Sequence, residues 1–347
     1  MRPHKLTTLG LSIVFLMAGA VSVAQTEGSY SSDTGARPPL AAQPDATNPR
    51  EIDAQAAAPL AAPDSIEIEI EVDAGATTPL PAPASGPAAR MFDIGRSALL
   101  GKDYSAAFQS LNDAAAMNFA PAQTMLGDMN LNGLGIPVNT DEALKLYHLA
   151  AAQGDANAMA AIGILYAEGQ GVTQDNKLAV EWLRKAADQQ NATAQNYLGL
   201  MYQDGRGVDH DAAAAAEWFR GAALQGESHA QDSLGTMFRE GRGVERDDIE
   251  AAWWFRKSAE QGNPVAQTDL GLMYEEGRGI HQDNNAAVQW FRQAAEQGYA
   301  LAQYRLGVSY AEGRGVDPDN TEAARWLKSA AKQGLSDAQD YLQSSGL

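Results

Sequence analysis

The sequence predicts an all-α protein, an α-solenoid of antiparallel helix pairs, and three observations predict it. Leu198 to Asp211 reads LGLMYQDGRGVDHD and Leu270 to Asp283 reads LGLMYEEGRGIHQD, a separation of 72 residues, or twice a repeat of 36. At that period Leu126, Ile162, Leu198, Leu234, Leu270 and Leu306 fall in one column, each followed by glycine. Trp182, Trp218, Trp254, Trp290 and Trp326 form a second column, and Ala151, Ala187, Ala223, Ala259, Ala295 and Ala331 a third. A fixed period in this range marks units that cannot bury an apolar face alone and must stack on their neighbours.

Composition narrows the function before any motif does. Lys plus Arg number 25 against 44 Asp plus Glu, a net charge of −19. That balance opposes binding to nucleic acid and to anionic membrane surfaces, and no basic run could track phosphates. With no cysteine there are no disulfides, thiolate metal sites or cysteine nucleophiles; this is compatible with an oxidising compartment without proving one.

Residues 1–24 read as a secretory signal peptide. Arg2, His4 and Lys5 form a positive start, Leu9 to Val23 an apolar core, and Ser22-Val23-Ala24 a small-residue cleavage site. The alternative is a membrane anchor, but the apolar run falls short of the ~20 residues that spanning needs. For a Gram-negative source this implies a periplasmic or secreted protein with no membrane span after cleavage. Residues 25–88 hold ten of the fifteen prolines and read as a disordered, acidic Pro/Ala-rich linker. Within it Ile66, Ile68, Ile70 and Val72 alternate with Glu67, Glu69, Glu71 and Asp73. That period suits a strand that pairs with a partner, or simply a solvated acidic stretch.

Residues 89–347 form the solenoid. A first helix pair over 90–119 keeps the apolar spacing but lacks Gly-x-Gly. Six repeats occupy about 120–335, and a capping helix covers 336–344. In each repeat the first helix carries a stripe such as Ala194, Leu198 and Tyr202. The glycine after the Leu costs roughly 1 kcal/mol relative to alanine inside a helix, so close helix approach must compensate. Gly-x-Gly (205/207, for example) suits left-handed backbone at the helix end. An aspartate column, Asp175, Asp211, Asp247, Asp283 and Asp319, then caps the second helix. Asn139/Glu142, Asp247/Glu250 and Asp319/Glu322 read as capping boxes. Gln-Gly ends most second helices; Gln190-Asn191 replaces it once, with Asn taking the glycine's role.

These columns together resemble the Sel1-like repeat, a relative of the tetratricopeptide repeat, over roughly residues 120–340. The resemblance implies a superhelix of helix pairs and a protein that acts as adaptor or scaffold, with bacterial examples in envelope signalling, cell-wall processes and secretion. It implies no catalytic residues, cofactor or metal. By analogy with tetratricopeptide repeats, groove-facing positions hold Asn196, Asp232, Thr268 and Tyr304, then Leu200, Thr236, Leu272 and Val308. Further along they hold Gln203, Arg239 and Glu275, and a carboxylate rail of Glu168, Asp204, Glu240, Glu276 and Glu312. The Arg206, Arg242, Arg278 and Arg314 column pairs with nearby acids.

Competing chemistries are weaker. Gly-x-Gly lacks the preceding strand of a phosphate loop. No two histidines have metal-ligand spacing, and Asp209-His210-Asp211 sits in an ordinary inter-helix loop. The carboxylate pairs Glu275-Glu276 and Asp247-Asp248 need not face across a cleft as a glycosidase requires. The expected function is an exported protein–protein interaction scaffold or regulator of the cell envelope that binds a partner protein or peptide. The alternative is a peptidoglycan-associated module that binds wall material or modulates a wall hydrolase. An enzyme is the least supported reading.

Overall fold

A computed structural model of the chain describes residues 86–347. The expected signal peptide, almost all of the linker and the alternating 66–73 segment lie outside the described residues. The described residues form fifteen helices: α1 (Pro87–Leu100), α2 (Tyr104–Ala116), α3 (Ala120–Asn132), α4 (Thr140–Ala151), α5 (Ala156–Glu168), α6 (Asn176–Ala187), α7 (Ala192–Asp204), α8 (Ala212–Leu224), α9 (Ser228–Glu240), α10 (Asp248–Glu260), α11 (Pro264–Glu276), α12 (Asn284–Glu296), α13 (Ala300–Glu312), α14 (Asn320–Lys332) and α15 (Ser336–Ser345). Each helix packs chiefly on the one before and the one after it. Successive first helices also touch, α5 with α7, α7 with α9 and α11 with α13, so the odd-numbered helices converge and line the inner side of the stack.

Within a repeat the two helices meet at the glycine. A Cβ on Gly199 would lie 2.6 Å from the Phe219 ring, and one on Gly235 2.8 Å from the Phe255 ring. Gly163 opposes Leu183 and Gly307 opposes Leu327 in the same way, each at 2.7 Å. The aromatic or leucine is fully buried in every case, so the missing methyl is what lets the side chain lie across the first helix. The first pair obeys the same rule: Gly95 faces Leu111 at 2.7 Å. It is a repeat whose inter-helix loop is cut short, with Asp103 capping α2 through the Ala106 N–H at 3.1 Å. Its first helix begins at Pro87, earlier than the expected 90, because Pro87 suits a helix start after Gly86.

The loops repeat as faithfully as the helices. Gly205 and its equivalents end the first helix in the left-handed region, at φ 66°. Gly207, also left-handed at φ 73°, lies against the carbonyl of Asn176 in the preceding repeat, leaving no room for a Cβ. Aspartates cap the second helices as expected; Asp211 accepts from the Ala213 and Ala214 N–H groups at 3.0 Å.

Two expectations need correction. The capping boxes at Asn139/Glu142, Asp247/Glu250 and Asp319/Glu322 are only half formed. The N-cap backbone N–H that the glutamate would receive from is already given to the first helix, Asp247 to the Phe238 carbonyl and Asp319 to the Tyr310 carbonyl, each at 3.0 Å. The glutamates turn elsewhere, Glu322 to Trp326 and Arg325 and Glu142 to Lys145. At the break in the Gln-Gly column, the left-handed residue is Gln190, at φ 62°. Asn191 caps α7 instead, accepting from the Ala194 N–H at 2.9 Å.

One framework element was not read in the sequence. The glutamine that ends a repeat reaches the glutamine three residues before the Leu column: Gln225 to Gln195 and Gln261 to Gln231 at 2.7 Å, Gln297 to Gln267 at 2.8 Å. The receiving glutamine donates in turn to the end of the preceding second helix, Gln231 to the Ala223 carbonyl at 3.1 Å. The receiving glutamines are buried, the donating ones exposed, and together they staple three consecutive helices by satisfied polar contacts, the condition on which buried polar groups are tolerated.

Gly199→Val tests the close approach. Overpacking against Phe219 is expected to cost about 1–3 kcal/mol, read as a lower midpoint in chemical denaturation. Ala213→Val, on the exposed face of α8, is expected to cost less than about 0.7 kcal/mol. Equal midpoints for the two variants would contradict the account.

Candidate functional site

The inner face is built by the first helices, and its charges join one repeat to the next. Arg239 near the end of α9 donates to Asp269 of α11 at 2.7 Å. One repeat on, the signs invert: Glu275 of α11 faces Arg305 of α13 at 3.7 Å and accepts from Arg314 at 2.7 Å. These pairs are largely shielded, with Asp269 and Glu275 side chains only 15% and 13% exposed. Two of the expected groove residues, Arg239 and Glu275, are therefore held by their neighbours, while Gln203, in the same column of α7, is half-buried with its carbonyl bonded to His210 at 2.7 Å.

The carboxylate rail is present but not bare. Glu168, Asp204, Glu240, Glu276 and Glu312 lie at the ends of their helices beside the arginine column. Arg206 reaches Glu168 at 3.4 Å and Asp204 at 3.7 Å; Arg242 reaches Glu240 at 2.7 Å, Arg278 reaches Glu276 at 3.5 Å and Arg314 reaches Glu312 at 2.9 Å. Such exposed pairs contribute ~0–1 kcal/mol each and leave a surface of mixed sign rather than a wholly acidic edge.

The column of Asn196, Asp232, Thr268 and Tyr304 splits. Thr268 is fully buried and its hydroxyl donates to the Pro264 carbonyl at 2.7 Å. Tyr304 is half-buried between Tyr341, whose ring stands edge-on at 6.5 Å, and the guanidinium of Arg305. Asn196 is 7% exposed, and its Oδ1 has no hydrogen-bond partner. Asp232 likewise has a buried Oδ1 without a partner. Of the next column, Leu200, Thr236 and Leu272 are half-buried and Val308 is buried.

Asp232 sits in the most polarised part of the groove. Burial pushes its carboxyl up to about 7, the charge of Asp269 adds to the rise, and Arg239 counters it. Burial raises Asp269 too, against the pull of Arg239. Tyr299, at the start of α13, is raised by burial and then by Asp269 and Asp232. Asp269, Tyr299 and Arg305 were not singled out in the sequence. Asp269 and Arg305 lie one position from the expected columns and Tyr299 lies at the cap of α13, because a residue late in one first helix meets a residue early in the next. A second raised acid, Asp128 of α3, is also pushed up to about 7 by burial, although it accepts from the Tyr147 hydroxyl at 2.7 Å.

A separate cavity of about 540 Å³ opens between α2 and α4, lined by Phe108, Ala115, Leu126, Ile136, Leu146 and Leu149 among others. Leu146 stands where later repeats carry tryptophan. In the next repeat Trp182 fills the equivalent place, edge-on to His148 at 5.6 Å. Among the described residues there is no group of three or more His, Cys, Asp or Glu that could hold a metal, and no helix long and apolar enough to cross a membrane.

Paired helices stacked at a constant period, with constant joints and a variable inner face, define an α-solenoid of the tetratricopeptide-like class. The Sel1 repeat family model matches residues 120–155, 156–191, 192–227, 228–263, 264–299 and 300–335, and the chain belongs to the Sel1 repeat family. Among solved structures it is similar to a protective antigen of uropathogenic Escherichia coli strains with an SLR fold, at 37% identity and a TM-score of 0.64. That match covers 74% of this chain, which spans 56% of the antigen's length. It is also similar to a Sel1 repeat protein from Oxalobacter formigenes, at 30% identity and a TM-score of 0.61, covering 69% of this chain and 96% of that one. Comparison with curated proteins gave no match. Proteins of this family are generally non-catalytic scaffolds for protein–protein interaction.

Asp232→Asn tests the buried acid. An aspartate whose folded pKa lies above its unfolded value of about 3.9 stabilises the fold most at low pH, and that stability is lost as pH rises through about 4 to 7. The amide mimics the protonated acid. Asp232→Asn is therefore expected to exceed the parent in stability by about 1–4 kcal/mol at pH 8 and to approach it as the pH falls to about 4. Thermal melts across that range check this; a difference independent of pH would contradict it.

Proposed function

We propose that this chain is an exported scaffold or regulator in a bacterial cell envelope, and that the inner face of its solenoid binds a segment of a partner protein. The observation that supports this most is the contrast along the first helices. Glycines, leucines, buried aromatics and capping aspartates recur in register, while Asn196, Asp232, Thr268 and Tyr304 change from copy to copy. Two of those variable residues carry buried polar atoms with no partner within the chain, as expected of a surface completed by another molecule.

The exported location rests on the positive and apolar stretch at residues 1–24, the absence of cysteine and the acidic composition. Similarity to a protein that is a protective antigen is in keeping with it. Chemical crosslinking in intact cells, followed by purification of the captured protein and titration against the chain, tests the reading. Reversing Glu240, Glu276 and Glu312 to Lys together removes the acids that balance Arg242, Arg278 and Arg314. It is expected to weaken the captured partner at least tenfold. Unchanged affinity would remove the rail from the binding surface, and the recovery of no saturable partner would overturn the scaffold reading.

A further inference from the structure

We propose that the centre of the inner groove, at Asp232 and Asp269, is a subsite for one basic side chain, lysine or arginine, carried by an extended segment of the partner. The inference deepens the scaffold reading and rests on it. Three observations carry it, and the first is uneven pairing. Arg239 is committed to Asp269 at 2.7 Å and lies against the Phe255 ring at 5.1 Å. It therefore pairs directly with one carboxylate of the two and acts on Asp232 only from a distance. The flanking repeats differ: Thr268 in the same column is self-satisfied, and Glu275 has two arginines of its own.

The second observation is the unpartnered polar atoms. Asn263, 8% exposed, uses Oδ1 to cap α11 through the Val265 N–H at 3.0 Å, and its Nδ2 has no hydrogen-bond partner. In the first repeat the equivalent pair, Thr124 and Asp155, bonds directly at 3.1 Å, whereas Asp232 and Asn263, at the same two positions three repeats on, each keep an unpartnered buried atom. A buried acceptor without a partner is costly. An arriving ammonium or guanidinium supplies the cation and the donors that the Asp232 carboxylate lacks. One repeat back, Asn196 Oδ1 extends the row of acceptors.

The third is the surrounding chemistry. Tyr299 is close enough to feel both carboxylates and offers an aromatic ring to a cation. The two carboxylates fall short of a metal-binding group, whereas an ammonium or guanidinium needs only acceptors and an apolar wall. The charged and titratable groups acting on Asp232 are Asp269 of α11, Arg239 of α9, Glu227 before α9 and Tyr299 before α13. An arriving cation favours the ionised form of Asp232, so binding expels a proton at mildly acidic pH.

The test is isothermal titration calorimetry of the full chain with capped peptides, Ala-Lys-Ala-Ala-Lys-Ala, its arginine counterpart and its glutamate counterpart. The basic peptides are expected to bind saturably, to tighten at least fivefold between pH 5.5 and 8, and to release a proton at pH 6 in buffers of differing ionisation enthalpy. Asp232→Asn is expected to weaken them at least tenfold and abolish the proton release, and Glu217→Gln, on the exposed face of the second helix α8, to change affinity less than twofold. No saturable binding of basic peptide overturns the site, as does equal loss in both variants, which marks unspecific charge attraction. The captured partner separates this from the scaffold reading: equal binding to the parent and Asp232→Asn overturns the subsite and leaves the scaffold standing.

Discussion

Everything in this solenoid depends on one close approach, a glycine in the first helix lying under a buried ring or leucine of the second. Gly199 under Phe219 and Gly271 under Phe291 bring the helices nearer than two ordinary side chains allow. The helix-interior glycine has a real cost of roughly 1 kcal/mol, and burying a phenylalanine completely contributes about 1.5–3 kcal/mol. The exchange is favourable in each unit and is repeated through the stack. It also explains why the second loop glycine is required. With the helices this close, the turn between them presses on the preceding repeat, and only a residue without Cβ fits against the Asn176 or Ala212 carbonyl.

Fixed joints separate framework from function. The glutamine staples, aspartate caps and arginine contacts to the tyrosine column, such as Arg256 to Tyr274 at 2.7 Å, bind each unit to the next and repeat with little change. Freedom to vary is left to the inner face of the first helices. There the pairing pattern runs between repeats, so changing one residue alters a junction rather than a unit. The sign inversion from Arg239–Asp269 to Glu275–Arg305 gives the groove a polarity along its length, which a uniform repeat lacks.

The period, the loop glycines and the aspartate caps of the second helices were legible in the sequence because each depends on contacts within one repeat or its direct neighbour in register. What failed to show was contact out of register. Asp269 and Tyr299 join Asp232 only because the stack offsets one first helix against the next, and the 36-residue alignment places them in different columns. Thr268 fell in a groove column yet is buried, since its hydroxyl satisfies its own helix. The capping boxes were overread because local spacing cannot reveal that the N-cap N–H is already bonded to the neighbouring helix. The glutamine column was plain in the sequence, but its role appears only when α9, α10 and α8 are seen together.

The central claim is that partners are read on the concave side by the first helices, while the second helices only support them. Hydrogen–deuterium exchange of the chain with and without its crosslink-identified partner tests this most directly. The account predicts that added protection concentrates in peptides from α7, α9, α11 and α13, with little change in α8, α10, α12 and α14 beyond their ends. Protection confined to the second helices, or to the cavity between α2 and α4, would contradict it.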